Sequence, residues 1–265
     1  MNERAELESK RQDIFKCFKD GLSYARSLFF TNPLIYFYTG VMGSLSLIGS
    51  IVDSGGRWQH TCARTWSWLI LKTSRITVEV EGEENVHVNR PTIYCVNHPS
   101  AMDIPILFVH LRVPFRFLSK RALFHVPFLG WHLRRSGHIP VERGRPHEAM
   151  RSFELATRKI REGRSVVLFP EGARSPEGQL GEFKRGTFLL AVEAQAPVVP
   201  ITLNGTRDVL PPGSYHVRPG KPEMVIHPPI KTDGLTTSDI TALSERVRKQ
   251  VASRFHFLED GEVGG

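Results

Sequence analysis

Thr92-Ile93-Tyr94-Cys95-Val96 is a short apolar, β-prone run, and Asn97-His98-Pro99-Ser100-Ala101-Met102-Asp103 follows it directly. Together they read as a buried strand emptying into a loop. A histidine in such a loop can take a proton near neutral pH, because its ordinary pKa is about 6.5. A carboxylate five residues on can fix its tautomer and stabilise the imidazolium that forms. On a regular helix five positions of roughly 100° each leave two side chains about 140° apart. Contact between them therefore requires that Pro99 and Ser100 interrupt the helix and let the loop fold His98 back over Asp103. The same residues also fit a plain structural reading. Asp103 can serve as a helix N-cap with Pro105 in the first turn, Ser100-x-x-Asp103 fits a capping box, and His98 can be a loop histidine bonded to a carbonyl.

Outward from this stretch, strand-like runs fall at residues 76–80, 92–96, 115–118, 138–141, 165–169, 198–203 and 224–227. Helical patterns fall at 104–111, 146–162, 186–194 and 237–255. Such alternation predicts an α/β fold, a mostly parallel mixed sheet flanked by helices. Three further blocks place polar or proline residues beside a strand end. They are Gly137-His138-Ile139-Pro140-Val141-Glu142-Arg143, Phe169-Pro170-Glu171-Gly172-Ala173-Arg174-Ser175 and Ala196-Pro197-Val198-Val199-Pro200-Ile201. In an open α/β sheet, ligands collect at the carboxyl ends of the strands.

In this order, the four blocks resemble the motifs of the glycerolipid acyltransferase family, the 1-acylglycerol-3-phosphate (lysophosphatidate) acyltransferases. The resemblance covers roughly residues 76–230. Ala173 departs from it, since the family often has threonine there. It implies transfer of an acyl group from a thioester, acyl-CoA or acyl-carrier protein, to the free sn-2 hydroxyl of lysophosphatidate, with His98 and Asp103 catalytic. Asn97, Lys120, Gly137, Arg143, Glu171, Gly172, Arg174, Arg185 and Pro200 are the expected substrate-binding residues.

The residues read alone agree with that chemistry. A hydroxyl is a poor nucleophile at neutral pH, and a positioned base contributes about 10²–10⁴ in rate. His98 suits that role, Asp103 orients it, and the acceptor hydroxyl can attack the thioester without an acyl-enzyme. Arg143 and Arg174 can grip phosphate oxygens in a bidentate fork. The resemblance adds Lys120, and Lys184 or Arg185 can add positive potential. Glu171 suits a glycerol hydroxyl or an arginine better than proton transfer, and Gly172 allows close backbone approach. Acyl transfer to another lysophospholipid or a lyso-ornithine lipid is the main alternative. A thioester hydrolase using His98 on water, or an idle membrane-binding module, is a third.

Composition points to the partners. The net charge is +8 over 265 residues, which suits an anionic partner. No zinc-finger spacing, RNA-recognition motif or long basic helix supports nucleic acid, whereas the N-terminal quarter supports a membrane surface. Residues 34–52 carry no charge, close to the roughly 20 residues that span a bilayer. However, Gly40, Gly43, Gly49 and four hydroxyl residues dilute their hydrophobicity. A half-inserted helix, or a pair with the Trp66–Leu71 run, fits as well as a full span. Trp58, Trp66 and Trp68 among Arg57, Arg64, Lys72 and Arg75 form an interfacial belt. Leu7, Ile14, Phe18, Leu22 and Phe29 recur at helical spacing, as in an amphipathic helix.

The opening segment lacks the basic-then-apolar pattern of a signal peptide, so the enzyme is expected on the cytoplasmic face of the membrane. The expected organisation is an N-terminal membrane-anchoring region (1–75), a catalytic domain (76–257) and a disordered tail (258–265). Cys17, Cys62 and Cys95 lack paired spacing, and the eleven histidines are scattered. Neither a metal site nor a cofactor is expected. Cys95, in the strand before His98, reads as a small buried apolar residue.

Overall fold

A computed structural model describes residues 11, 17–53, 55–142, 146–174 and 178–256. Among the described residues, seven strands form one sheet in the order β1-β7-β6-β2-β5-β3-β4. They are β1 (Glu79–Glu81), β2 (Ile93–Val96), β3 (Phe115–Lys120), β4 (Ile139–Val141), β5 (Ser165–Leu168), β6 (Val198–Asn204) and β7 (Glu223–Ile226). Every pairing is parallel except β6 with β7, as the alternating pattern predicts. The central strands β2, β5 and β6 are buried along their whole length and mostly apolar, because both faces are covered.

Along β2 the side chains alternate between two cores. Tyr94 and Val96 join Ile106, Phe108, Phe115 and Ile70 on one face. Ile93 and Cys95 join Ala156, Ile160, Leu190 and Val247 on the other. The first face is covered by the Arg57–Ser74 and Asp103–His110 helices, and the second by Pro146–Arg161, Leu189–Ala194 and Ile240–Ser253. Two short helices, Leu129–Arg135 and Thr206–Val209, lie in stretches whose periodicity does not announce them.

The N-terminal region is a helical hairpin. Its first arm is Asn32–Gly49, entered through a π-helical turn at Ser27–Thr31, and its second is Arg57–Ser74. The arms run antiparallel, as three cross-links of falling and rising number show. Trp58 Nε1–H donates to the Leu45 carbonyl (2.9 Å), Trp66 Nε1–H to Thr39 Oγ1 (3.0 Å), and Tyr38 bonds Thr73 (3.2 Å). Gly49 is required here, since the Trp58 ring occupies the place of any Cβ. The bend before the second arm is tied to the sheet by Arg116 of β3, whose buried guanidinium donates to the Gly55 carbonyl and to that of its neighbour Phe115, each at 3.0 Å.

Of the expected arrangements, the structure shows the pairing of this stretch with the arm that carries the Trp66–Leu71 run. Among the described residues no helix is long and apolar enough to cross a membrane. Leu7 and Ile14 of the expected amphipathic helix, and the tail at 258–265, lie outside the described residues. Phe18, Leu22 and Phe29 are exposed.

Candidate active site

The carboxyl ends of β2, β5, β3 and β4 lie along one edge of the sheet, because these strands run parallel. The loop after β2 carries His98 to this edge, and the Asp103–His110 helix begins with Asp103. The loop does fold back. His98 Nδ1 lies 2.7 Å from Asp103 Oδ2, with the aspartate side chain fully buried and the imidazole 14% exposed. A carboxylate only accepts, so Nδ1 carries the proton and Nε2 is left as the basic nitrogen. The same Oδ2 accepts the Ser100 N–H (3.0 Å), and Ser100 Oγ accepts the Met102 N–H (3.1 Å) and donates to the Leu210 carbonyl (2.7 Å). These bonds hold the loop in the non-helical shape that brings the pair together.

Two residues of the β5 loop fix the imidazole further. Phe169 stacks on the His98 ring, with centroids 3.8 Å apart and planes within 16°. Glu171 Oε1 accepts the His98 backbone N–H (2.8 Å), and its Oε2 accepts the Gly181 N–H (3.0 Å). Burial pushes the Glu171 carboxyl above its ordinary pKa, while those two N–H bonds and His98 pull it back toward ionisation. Glu171 is thus a brace between the His98 loop and the chain around Gly181, with both oxygens engaged. Gly172 sits at φ +78°, and the Lys184 ammonium lies 2.7 Å from where a Cβ would stand. The glycine lets Lys184 cross the turn, an approach that any side chain would block.

The other expected residues divide. Lys120, at the carboxyl end of β3, Arg174, in the loop after β5, and Arg185, opening a short 3₁₀ turn, are all exposed. Arg143 lies outside the described residues. Three residues are turned to other work. The Asn97 amide is buried, donating to the Leu203 carbonyl (2.9 Å) and accepting its N–H (2.7 Å), which pins β2 to β6. Pro200 is buried inside β6, opposite Cys95. Gly137 precedes β4, on the sheet edge opposite His98, and its φ of +73° leaves room beside Arg116. Their motifs adjoin the site in sequence, but a strand has two ends and two faces.

Between the hairpin and the sheet lies an apolar cavity of about 220 Å³, which neighbours of His98 and Asp103 line though neither of the pair does. Its wall near the site is made by Ile104, next to Asp103, and by Phe117, whose ring stacks on Phe169 (5.9 Å) and through it reaches His98. Met42 of the hairpin and the imidazoles of His132 and His138 line it elsewhere. Burial, with Arg116 as a second cause, pushes His132 down to about 4; burial likewise holds His138 well below its ordinary value. Both rings are neutral at pH 7. His132 Nδ1 bonds Ser46 of the hairpin (2.7 Å), and His138 Nδ1 accepts the Phe117 N–H (2.9 Å). Phe169, Gly181 and these two histidines were not among the expected site residues. The aromatic before Pro170 was the one signal in the sequence.

Comparison with known proteins bears on this geometry. Residues 77–204 match the family model described as Acyltransferase, a span that runs from just before β1 to the end of β6. Over 192 residues the chain is 32% identical to the 1-acyl-sn-glycerol-3-phosphate acyltransferase alpha of Homo sapiens, covering 72% of this chain and 68% of that one. The chain belongs to the acyltransferase family. A chloroplastic 1-acyl-sn-glycerol-3-phosphate acyltransferase of Brassica napus is 35% identical over 176 residues, covering 66% of this chain and 51% of its own. The chain spans about half the length of this and similar plant and algal relatives. The crystal structure of the 1-acyl-sn-glycerophosphate acyltransferase PlsC from Thermotoga maritima superposes with a TM-score of 0.72 at 25% identity. It covers 93% of this chain and 99% of that one. Within this acyltransferase, His98, Asp103, Phe169 and Glu171 all fall inside the matched region, whereas the hairpin precedes it.

Proposed function

We propose that the protein transfers a fatty acyl group from a thioester, acyl-CoA or acyl-carrier protein, to the sn-2 hydroxyl of lysophosphatidate, giving phosphatidate. The observation that carries this reading is the 2.7 Å His98–Asp103 bond, next to Ile104 in the wall of an apolar cavity. His98 Nε2 takes the hydroxyl proton as the oxygen forms its bond to the thioester carbonyl carbon. The carbon–sulfur bond then breaks, and the leaving thiolate takes the proton back from the imidazolium, so the enzyme ends as it began. Asp103 and the Phe169 stack keep the ring in the tautomer and orientation this requires. Cys95 is a poor rival nucleophile, since it is buried and its thiol is pushed far above its ordinary pKa.

The acyl chain lies in that cavity. The acceptor phosphate is held by Arg174, in the loop after β5, with Lys120 at the end of β3 and Arg185, and Arg143 joins them on its sequence motif alone. Glu171 positions the loop that carries the base. The hairpin lies in the membrane interface on the cytoplasmic side, with the tryptophans and basic residues of its second arm at headgroup level.

The test is acyl transfer to lysophosphatidate, lysophosphatidylcholine and lyso-ornithine lipid by the wild type and by Arg174→Ala. Lysophosphatidate should be the preferred acceptor, and Arg174→Ala should raise its KM about ten-fold with a smaller effect on kcat. Equal use of the three acceptors would overturn the phosphate-monoester assignment. An unchanged KM would remove Arg174 from it.

A further inference from the structure

Residues 123–131 run from the end of β3 into the Leu129–Arg135 helix and take no part in the proton transfer described above. Within them Leu123, Val126, Phe128, Leu129 and Trp131 are exposed, Phe128 by 60% and Trp131 by 50%. A loop of a water-facing protein has no reason to present five large apolar side chains. The backbone is strained to do so. Leu129 N–H donates to the Pro127 carbonyl (2.7 Å) across Phe128, which sits at φ +61°, ψ −57°. That is the rare form of the γ-turn, and it is uncommon for a bulky residue. The turn points the Phe128 ring outward, edge to face with Trp131 at 5.2 Å. Gly130 keeps the turn tight, since a Cβ there would meet the Phe124 carbonyl at 2.1 Å.

Two further features identify what covers this surface. The first is position. Leu123, Phe128 and Leu129 are exposed and also line the apolar cavity, together with Met42 and Gly43 of the hairpin. They therefore form the rim of its mouth, and the hairpin's own exposed residues Val41, Leu45 and Ile48 continue the apolar surface. The Ser46–His132 bond fixes the two parts together. The second is charge. Between residues 115 and 141 there is no Asp or Glu, while Lys120, Arg121, Arg134 and Arg135 are exposed at the two ends of the segment. Arg121 is shared with Glu142 (3.4 Å) and Glu148 (3.7 Å). Apolar side chains with cations at their margin fit a bilayer of anionic lipid.

We propose that residues 123–131 are a second membrane contact, built into the catalytic domain, and that this contact sets the cavity mouth against the lipid. A fatty chain then passes between bilayer and cavity without crossing water. The passage of the chain rests on the acyl-transfer reading; the docking itself does not.

The test uses the full chain and vesicles of phosphatidylcholine with and without a quarter phosphatidylglycerol. Val126→Ser/Trp131→Ser changes two exposed residues outside the cavity lining. It should lower vesicle affinity about ten-fold, with unchanged melting temperature. Turnover of a short-chain donor and acceptor dissolved in water should stay the same, and turnover of a long-chain acceptor held in the vesicles should fall with the binding. Arg134→Gln/Arg135→Gln should weaken binding to the anionic vesicles only. Unchanged vesicle affinity in the Val126/Trp131 variant overturns the proposal. So does a change from dimer to monomer in that variant at equal vesicle affinity, which would assign the surface to a second copy. If the protein transfers no acyl group at all, the binding arm still decides the docking, and only the acyl-transfer reading falls.

Discussion

The sheet and the helical hairpin draw on the same apolar residue types and treat them in opposite ways. In β2 and β6 every side chain is buried, and Ile93, Tyr94 and Val199 have at most 1% of their surface exposed. In the hairpin and the chain leading into it Phe29 is 78% exposed, and Val52, at the bend, 88%. Burying an aliphatic or aromatic side chain is worth about 1.5–3 kcal/mol. The sheet gains that on folding, and the hairpin leaves much of it unclaimed in water. The difference teaches that folding is only half of what the apolar residues of this chain are arranged for. On the reading proposed above, lipid covers the hairpin and the cavity rim, and the sheet is the frame that holds His98 in place.

The comparison is tested at its functional end first. His98→Ala should lower kcat by about 10²–10⁴ while leaving the melting temperature and vesicle binding in place. A variant that lost fold and activity together would make His98 a structural residue. Next in size is the frame itself. Ile201→Ala, in the fully buried β6, should cost about 2–5 kcal/mol in denaturant unfolding. A small cost there would mean the sheet core tolerates cavities and is not the rigid part.

The seam between the two regions gives the third prediction. His60, packed edge to face on Phe115 at the hairpin–sheet contact, is pushed down to about 4 by burial and by Arg116, as is His132; His138 is lowered further in the same direction. The unfolded chain, with ordinary histidines, binds protons first as the pH falls below about 6.5. Stability should therefore be lost as pH falls from about 6.5 toward 4, by about 1.4 kcal/mol per pH unit for each histidine. Glu171, whose pKa is raised, works against this just above its unfolded value and softens the loss. Urea unfolding at pH 7, 6 and 5 measures the slope, and His132→Gln should reduce it by one histidine's share. The smallest effect belongs to the hairpin. Val52→Ser should change stability in water by no more than about 0.5 kcal/mol and be felt only in vesicle binding.

Much of this was legible in the chain. β2, β5 and β6 were legible as apolar runs, since a strand buried along its length has little polar side to confuse the pattern, whereas β1 is Glu79-Val80-Glu81, exposed at both ends, and starts three residues after the run that suggested it. The His98–Asp103 pair was legible because both partners belong to one loop, where spacing and a proline limit the geometry. What was not legible was long-range. Asn97 looked like a ligand and is a cross-strand anchor to Leu203, 106 residues on. Glu171 looked like a substrate contact and braces the His98 backbone. Gly137 and Pro200 share motifs with site residues, but one stands at the far edge of the sheet and the other inside a strand. No periodicity could show that Ser46 meets His132, or that the 123–131 segment rims a cavity, since those contacts exist only once the hairpin packs on the sheet.

The central claim is that His98, by taking the proton of a lipid hydroxyl, directs the acyl group of a thioester to that hydroxyl rather than to water. Counting thiol released against acylated lipid formed, with and without lysophosphatidate, tests it most directly. One acylated lipid per thiol, and no thiol release without the acceptor or from His98→Ala, is the predicted result. Thiol release by the wild type at the same rate with no acceptor present, and no lipid product, would contradict it.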